Sequence, residues 1–207
     1  KHFDINKVID VGANSGQFGT EIRKMGYNGK IISFEPLPET FALLKKNTSG
    51  DANWASYQLA LGSEAKKDQI NVAGNTVSSS ILDIMPEHTN AAPESKYTHK
   101  VDIEIKTLDG MADELLSEND RVYFKIDTQG FEDEVLKGAE DHIRSFRCVQ
   151  LEMSFVPMYK DEMLFHEMMK YMKDRGFEIY TLEPGLDDPQ TGRLFQIDGI
   201  FVNTDFL

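Results

Sequence analysis

Several features that this 207-residue chain lacks, or has little of, limit what it can be. Cys148 is its single cysteine, so an internal disulfide and a cysteine-built zinc site are both excluded. Its longest apolar stretches run only a few residues, far short of the ~20 that span a bilayer. Lys and Arg number 22 against 35 Asp and Glu, and the formal charge of −13 argues against nucleic acid and anionic membranes as partners.

What the chain does have is enough apolar material for a sizeable core. Hydrophobic residues make up 40% of it and include 13 Phe, which excludes disorder throughout. We expect one domain over residues 1–207, because no repeat or linker divides the chain. The sequence begins without Met and without a basic-then-apolar signal pattern. We therefore expect a trimmed or excised domain that works in the cytoplasm.

Strand-like and helix-like segments alternate, which predicts an α/β fold with a mostly parallel sheet. The predicted strands are 7–11, 30–35, 55–61, 69–72, 101–108, 122–127, 148–153, 177–182 and 195–202, and the predicted helices are 17–25, 38–47, 111–116, 131–146 and 164–175. Residues 74–99 are polar and rich in Ser, Asn and Pro, and we predict that they form a lid rather than a mere surface insertion. His88 and His99 in this segment are either bases supplied on closure or plain surface residues.

A glycine-containing turn, DVGANSG, follows the first predicted strand and precedes the first predicted helix. Such a turn lets the main chain approach a ligand closely. A dinucleotide-binding motif would need glycine at positions 12, 14 and 17, but the chain has Gly12, Asn14 and Gln17. Asp10 and Gly16 instead favour a ligand with a charged amino-acid tail, whose ammonium would pair with Asp10. The alternative is an ordinary strand–helix turn.

An acid, Glu35, ends the second predicted strand and lies beside that turn in any doubly wound sheet. A carboxylate there can accept hydrogen bonds from both hydroxyls of a ribose. NAD-binding folds use an acid at the same place, but with the missing glycines the pattern favours S-adenosylmethionine. A solvated strand end is the alternative. The further cofactor contacts that we expect are Ala13, Asn14, Pro36, Ala60 and Leu61.

Short motifs extend the pattern over nearly the whole chain. They are VIDVGANSGQ at 8–17, SFEP at 33–36, TLD at 107–109, KIDTQGFE at 125–132, VLKGA at 135–139, and QLEMS at 150–154 followed by Pro157 and Tyr159. Together they resemble the FkbM family of S-adenosylmethionine-dependent methyltransferases. The resemblance implies a seven-stranded Rossmann-like class I methyltransferase sheet with helices on both faces. It also implies O-methylation of a small metabolite such as a sugar, a glycan or a polyketide.

Two carboxylates, Asp127 and Glu152, end or nearly end two later predicted strands. Ligands of open α/β sheets lie outside the carboxyl ends of the strands, so both should flank one crevice. Partial burial would raise the pKa of either and make it a better base. We predict that Asp127 lies near the methyl-transfer centre and that Glu152 is the base or orients the hydroxyl. Lys125 shares a strand face with Asp127 and is expected to form a salt bridge.

Other roles for these two carboxylates remain as alternatives. Either could bind the ammonium of the cofactor, Asp127 could cap the helix that follows it, and a two-ligand magnesium site could include Asp127. No cluster of His and carboxylates has convincing metal spacing, so we predict no metal site. The leading hypothesis is an O-methyltransferase for a small hydroxylated acceptor. An NAD-dependent oxidoreductase and a non-catalytic cofactor-binding domain are the alternatives.

Overall fold

The structure, a computed structural model, describes residues 2–207. Its strands are β1 (Lys7–Val11), β2 (Lys30–Phe34), β3 (Trp54–Tyr57), β4 (Ala60–Leu61), β5 (Lys66–Ala73), β6 (Tyr97–Lys106), β7 (Val122–Ile126), β8 (Cys148–Ser154), β9 (Phe177–Pro184) and β10 (Gln196–Asn203). Its α-helices are α1 (Gln17–Lys24), α2 (Pro38–Thr48), α3 (Pro86–Ala91), α4 (Ala112–Leu115), α5 (Glu132–Lys137) and α6 (Phe165–Lys173). The longest has 11 residues, and no helix within residues 2–207 has the length and apolarity needed to cross a membrane.

Seven strands form the central sheet in the order β3-β2-β1-β7-β8-β10-β9. All neighbouring pairs from β3 to β8 are parallel, whereas β10 is antiparallel to both β8 and β9. The prediction of a seven-stranded, mostly parallel Rossmann-like sheet with helices is confirmed. The strand order reverses between β1 and β7, and open α/β sheets bind ligands at the carboxyl ends of the strands on either side of such a reversal.

The two faces of the central sheet differ in character. One face packs Ile9 of β1 into the main core together with Leu136 of α5 and Met168 of α6. On the other face, Phe18 of α1 stacks on Tyr123 of β7 with 6.2 Å between ring centroids. Because side chains alternate along a strand, Asp10 of β1 and Lys125 of β7 fall on this second face, whereas Lys7 lies on the face of Ile9.

The predicted strand over residues 55–61 is two strands in different sheets. β3 pairs with β2 in the central sheet, and β4 pairs with β6 in a three-stranded sheet of order β4-β6-β5. Leu59, between them, is buried. The sequence pattern could not reveal the break, because the break depends on which distant strand each half pairs with.

The predicted helix over residues 131–146 is shorter than expected. α5 ends at Lys137 and is capped by Gly138, where a Cβ would lie 2.0 Å from the Gly62 carbonyl oxygen. Ala139 and Ile143 are fully buried although they lie beyond the helix. The helical spacing therefore identified the buried residues, but a contact with a distant turn sets the end of the helix.

Residues 74–99 are more ordered than their polar composition suggests. They include α3 and the first residues of β6, and Ser80 and Ser95 are fully buried. His88 is buried too and packs edge-on against Tyr159, with 5.1 Å between ring centroids, while His99 is exposed on β6. The alternative that His88 is a plain surface residue is therefore wrong, because α3 packs its side chain against the body of the protein.

Candidate active site

A cavity of about 270 Å³ lies at the carboxyl ends of β1, β2 and β7, beside the reversal of strand order. The predicted residues that line it are Gly12, Ala13, Asn14, Glu35, Pro36, Ala60, Leu61 and Asp127. Lining residues not identified from the sequence include Gln17, Phe18, Leu59, Ile70, Thr76, Val77, Ser79, Ile81 and Phe131. The cavity thus combines a polar edge, from the strand ends, with an apolar wall from the small sheet and the segment after β5.

The turn after β1 presents main chain to the cavity. Gly12 has φ +77°, and a Cβ there would lie 1.8 Å from the carbonyl oxygen of Asp127, so only glycine fits. The N–H groups of Gly12 and Ala13 donate to the carbonyl oxygen of Phe34 at 3.1 and 3.0 Å. These bonds fix the turn against the end of β2, next to Glu35.

Glu35 lies at the cavity edge and accepts two main-chain hydrogen bonds. Its Oε2 accepts from the Asn14 N–H at 2.9 Å, and its Oε1 accepts from the Leu37 N–H at 2.9 Å. Burial outweighs these bonds and raises the pKa of Glu35 to about 7. Each carboxylate oxygen can still accept another hydrogen bond, so Glu35 can receive the two hydroxyls of a ribose.

Two predicted cofactor residues, Asp10 and Gly16, lie outside the cavity lining. Asp10 is fully buried, and neither of its carboxylate oxygens has a hydrogen-bond partner among residues 2–207. Its burial raises its pKa, and its neighbour is the Lys125 ammonium, 3.5 Å away. Gly16 is the N-cap of α1 with φ +89°. Asp10 therefore faces Lys125, and Gly16 sets the start of a helix.

Lys125 joins Asp10 to the strand end that carries Asp127. Its Nζ lies 3.2 Å from Asp127 Oδ2, so the expected salt bridge is confirmed. Burial alone would lower the pKa of Lys125, but the two carboxylates raise it above its ordinary value. Lys125 is therefore a permanent cation beside the cavity.

Asp127 and Glu152 come together across the ends of β7 and β8. The side-chain amide of Gln129 donates to Asp127 Oδ1 at 2.8 Å and to Glu152 Oε2 at 2.9 Å. Gln196 of β10 donates to the same oxygen of Glu152 at 2.9 Å. Asp127 lines the cavity, whereas Glu152 lies outside the lining and is joined to Asp127 through Gln129.

Glu152 lies among other acidic groups. Its burial raises its pKa well above the ordinary value, and the charges of Asp127, Glu132 and Asp198 raise it further. Asp198 is the residue directly opposite Glu152 in the register of β8 and β10. Glu152 is therefore a carboxyl group with a strong affinity for a proton, held close to the cation of Lys125.

The alternative role of Asp127 as a helix cap does not apply. α5 follows Phe131 as its N-cap residue, and no side chain caps it. The N–H of Thr128 donates instead to Glu132 Oε1 at 2.7 Å, and burial raises the pKa of Glu132 to about 8. Within residues 2–207, no group of three or more His, Cys, Asp or Glu side chains is placed to hold a metal ion.

Gln129 and Tyr159 were not assigned a role from the sequence, although both lie in the motifs quoted above. The Tyr159 hydroxyl donates to Gln129 Oε1 at 2.7 Å. Gln129 precedes Gly130, which is a turn signal, but no local rule predicts a bond to a strand 23 residues further along. The contact depends on the pairing of β7 with β8, which a single sequence does not show.

Known proteins similar to this chain in sequence are methyltransferases. The profile of the methyltransferase FkbM domain matches residues 10–179. The chain is 28% identical over 199 residues to methyltransferase sdnD of Sordaria araneosa, which covers 83% of this chain and 73% of that protein. It is 24% identical over 149 residues to methyltransferase 1 of Beauveria bassiana, which covers 67% of this chain and 60% of that protein.

Solved structures with a similar fold include two fibrillarins. That of Aeropyrum pernix, with natively bound S-adenosylmethionine, is 12% identical and has a TM-score of 0.52, covering 98% of this chain and 69% of that chain. The pre-rRNA processing fibrillarin of Methanococcus jannaschii is 11% identical and has a TM-score of 0.54, covering 99% of this chain and 69% of that chain. At such identity the likeness concerns the fold alone.

Proposed function

The chain belongs to the FkbM family of methyltransferases and uses S-adenosylmethionine, and we propose that it methylates a hydroxyl group of a small metabolite. The family membership and the absence of glycine at positions 14 and 17 disfavour the NAD-dependent alternative. The observation that carries the proposal is the Asp127–Glu152 pair, which shares the amide of Gln129 at the edge of the cavity.

The residues present fit S-adenosylmethionine. Glu35 would receive the ribose hydroxyls, because both of its oxygens are held by main-chain donors at the cavity edge. The residues that would enclose the rest of the cofactor are Gly12, Ala13, Asn14, Pro36, Ala60 and Leu61. Asp10 and Gly16 would support this site from behind, through Lys125 and the start of α1. When bound, S-adenosylmethionine supplies a methyl group on a positively charged sulfur.

Asp127 and Glu152 would act on the acceptor hydroxyl. Asp127 lines the cavity and would lie beside the methyl-transfer centre. Glu152 would take up the proton that the hydroxyl loses, because its raised pKa makes the ionised carboxylate a strong base. The Lys125 ammonium would offset part of the negative charge of the two carboxylates. If either carboxylate binds the cofactor ammonium instead, its removal will weaken cofactor binding rather than turnover.

We propose a small acceptor rather than nucleic acid, and a cytoplasmic location. The formal charge of −13 repels polyphosphate, and the carboxylates around Glu152 add to this repulsion close to the cavity. A chain with one cysteine, Cys148, needs no oxidising compartment for its fold.

We also propose that residues 74–99 act as a lid within a single domain over residues 1–207. Thr76, Val77 and Ser79 line the cavity, and Val77 is half exposed there. The Ser80 hydroxyl donates to the carbonyl oxygen of Gln129 at 2.6 Å. These contacts give the segment a direct connection to both the cofactor cavity and the carboxylate pair.

Incubation with methyl-labelled S-adenosylmethionine and a panel of sugars, polyols and phenols tests the proposal. We expect label on an acceptor oxygen together with an equal amount of S-adenosylhomocysteine, and loss of both in Glu152→Gln. Glu104→Gln, which alters an exposed acid on β6, is the matched control and should behave as the wild type. A parallel reaction contains total RNA. Label on RNA, or on carbon or nitrogen of the small acceptor, would contradict the proposal.

A further inference from the structure

The Gln129 side chain forms hydrogen bonds with three residues of the site, Asp127, Glu152 and Tyr159. We propose that Gln129 is a positioning residue that holds Asp127 and Glu152 together as one hydrogen-bonded pair. The inference deepens the proposed function and rests on it, because it assumes that the pair acts on the acceptor hydroxyl. It concerns how the chain keeps two carboxylates close enough to act as a unit.

The side-chain amide of Gln129 uses all of its polar atoms within this site. Its Nε2 donates to Asp127 Oδ1 at 2.8 Å and to Glu152 Oε2 at 2.9 Å. Its Oε1 accepts from the Tyr159 hydroxyl at 2.7 Å. Since carboxylate oxygens accept hydrogen bonds, the two neighbours determine which end of the amide faces them.

The main chain of Gln129 is held as firmly as its side chain. Gln129 has φ +58°, an unusual value for a residue with a side chain, and Gly130 follows with φ +93°. A Cβ at Gly130 would lie 2.8 Å from the Cβ of Tyr159, so the turn packs directly against that residue. The carbonyl oxygen of Gln129 accepts from the Ser80 hydroxyl at 2.6 Å. Strained main chain of this kind is kept where the surrounding structure holds it, often at functional sites.

The charges around the pair explain why an uncharged donor is needed there. The groups that face Asp127 and Glu152 are Lys125 of β7, Asp10 of β1, Asp198 of β10, Glu132 of α5 and Tyr159 of the segment after β8, and Glu162 lies beyond Tyr159. A second cation would hold both carboxylates permanently ionised. An amide stabilises the ionised forms more weakly, so it can hold the two groups together while Glu152 still gains and loses a proton.

A purely structural role for Gln129, as support for the turn, makes a different prediction. Support for the turn does not depend on the protonation of Glu152, whereas a bond to a carboxylate strengthens when that carboxylate ionises. The dependence on pH therefore distinguishes the positioning role from the purely structural one. The first two measurements below need neither the acceptor nor the cofactor.

The first test follows the Gln129 side-chain N–H signals in the ¹⁵N-labelled full chain. We expect both signals to shift with pH over one common interval, and we expect Glu152→Gln to abolish that shift. The signals are assigned by their contacts with the Tyr159 ring, so the test does not depend on a Gln129 variant that folds. Signals that do not respond to pH, or that respond equally in Glu152→Gln, would overturn the proposal.

The second test compares Gln129→Met with Gln69→Met by thermal unfolding between pH 6 and pH 9. Gln69 is a matched control, because its amide donates to the Asp102 carboxylate at 2.8 Å on the exposed side of β5. We expect the deficit of Gln129→Met relative to the wild type to grow as the pH rises, and that of Gln69→Met to stay constant. A deficit of Gln129→Met that is independent of pH would contradict the positioning role.

Turnover then separates this proposal from the proposed function. With a working acceptor, Gln129→Met should move the acid side of the activity profile to higher pH by about one unit, because two bonds to the ionised pair are lost. If the Gln129 signals titrate as expected but Glu152→Gln retains normal turnover, the hydrogen-bonded pair stands and the catalytic assignment of Glu152 fails.

Discussion

Two glutamates beside the cavity, Glu35 and Glu152, differ in the kind of hydrogen-bond donor that holds them. Glu35 accepts two main-chain N–H groups, which have no freedom to rotate away. Glu152 accepts side-chain amides from Gln129 and Gln196 and lies among like charges. Main-chain donors give a carboxylate a fixed position, which suits recognition of a ligand. Side-chain donors among like charges leave a carboxyl group poised to exchange a proton, which suits chemistry.

The largest expected effect is a loss of turnover when the Glu152 carboxylate is replaced. Glu152→Gln keeps the shape of the side chain and can still accept from the neighbouring amides, but it cannot take up a proton. We expect kcat to fall by about 100-fold or more, with the dissociation constant of S-adenosylhomocysteine within a few-fold of the wild type. Steady-state kinetics with a saturating acceptor measure this. Near-normal turnover in both Glu152→Gln and Asp127→Asn would show that this pair is not catalytic.

The next largest effect is on cofactor affinity. Glu35→Ala removes the carboxylate proposed to receive both ribose hydroxyls, and we expect S-adenosylhomocysteine to bind about 30-fold more weakly. Glu39→Ala, at an exposed acid in the first turn of α2, is the control and should bind normally. An affinity of Glu35→Ala within a few-fold of the wild type would contradict the ribose assignment.

A smaller effect is the dependence of that affinity on pH. Burial raises the pKa of Glu35 to about 7, so below this pH most molecules carry a proton on the carboxyl and accept the ribose hydroxyls less well. Affinity for S-adenosylhomocysteine should therefore rise up to about tenfold from pH 6 to pH 8. Calorimetry at the two pH values measures this. The rise should largely disappear in Glu35→Gln, and an equal rise in that variant would assign the effect to another group.

The smallest expected effect is on stability. Because the pKa of Glu152 is raised above its ordinary value, the folded state holds a proton that the unfolded state has released, and stability falls as the pH rises through this interval. Glu152→Gln removes the titrating carboxyl group and therefore this loss of stability at high pH. Its thermal midpoint at pH 8 should exceed that of the wild type by a few degrees, with little gain at pH 5. A variant that is less stable at both pH values would mean that the carboxylate is needed for folding.

The two glutamates also differ in how far the sequence could predict them. The place of Glu35 followed from a local rule, since it ends the strand next to the first turn of a doubly wound sheet. The mostly parallel α/β architecture followed from the alternation of strands and helices, whereas the number of seven strands was implied by the resemblance to the FkbM family. The partners of Glu152 could not be predicted, because Gln196 comes from β10, the antiparallel strand inserted between β8 and β9.

Differences between the predicted and observed elements have the same cause. The split of residues 55–61 depends on pairing with β6, and the early end of α5 depends on a contact between Gly138 and Gly62. The ion pair of Asp10 with Lys125 likewise depends on the pairing of β1 with β7, and it was not foreseen from the sequence. Periodicity shows which residues are buried, whereas these outcomes depend on which distant residue each one meets.

The most direct test of the division between binding and chemistry is a calorimetric titration of Glu35→Ala and Glu152→Gln with S-adenosylhomocysteine, side by side with the wild type at pH 8. We expect Glu152→Gln to bind within a few-fold of the wild type and Glu35→Ala to lose most of its affinity. The opposite result, with affinity lost in Glu152→Gln and kept in Glu35→Ala, would contradict the assignment of binding to Glu35 and of chemistry to Glu152.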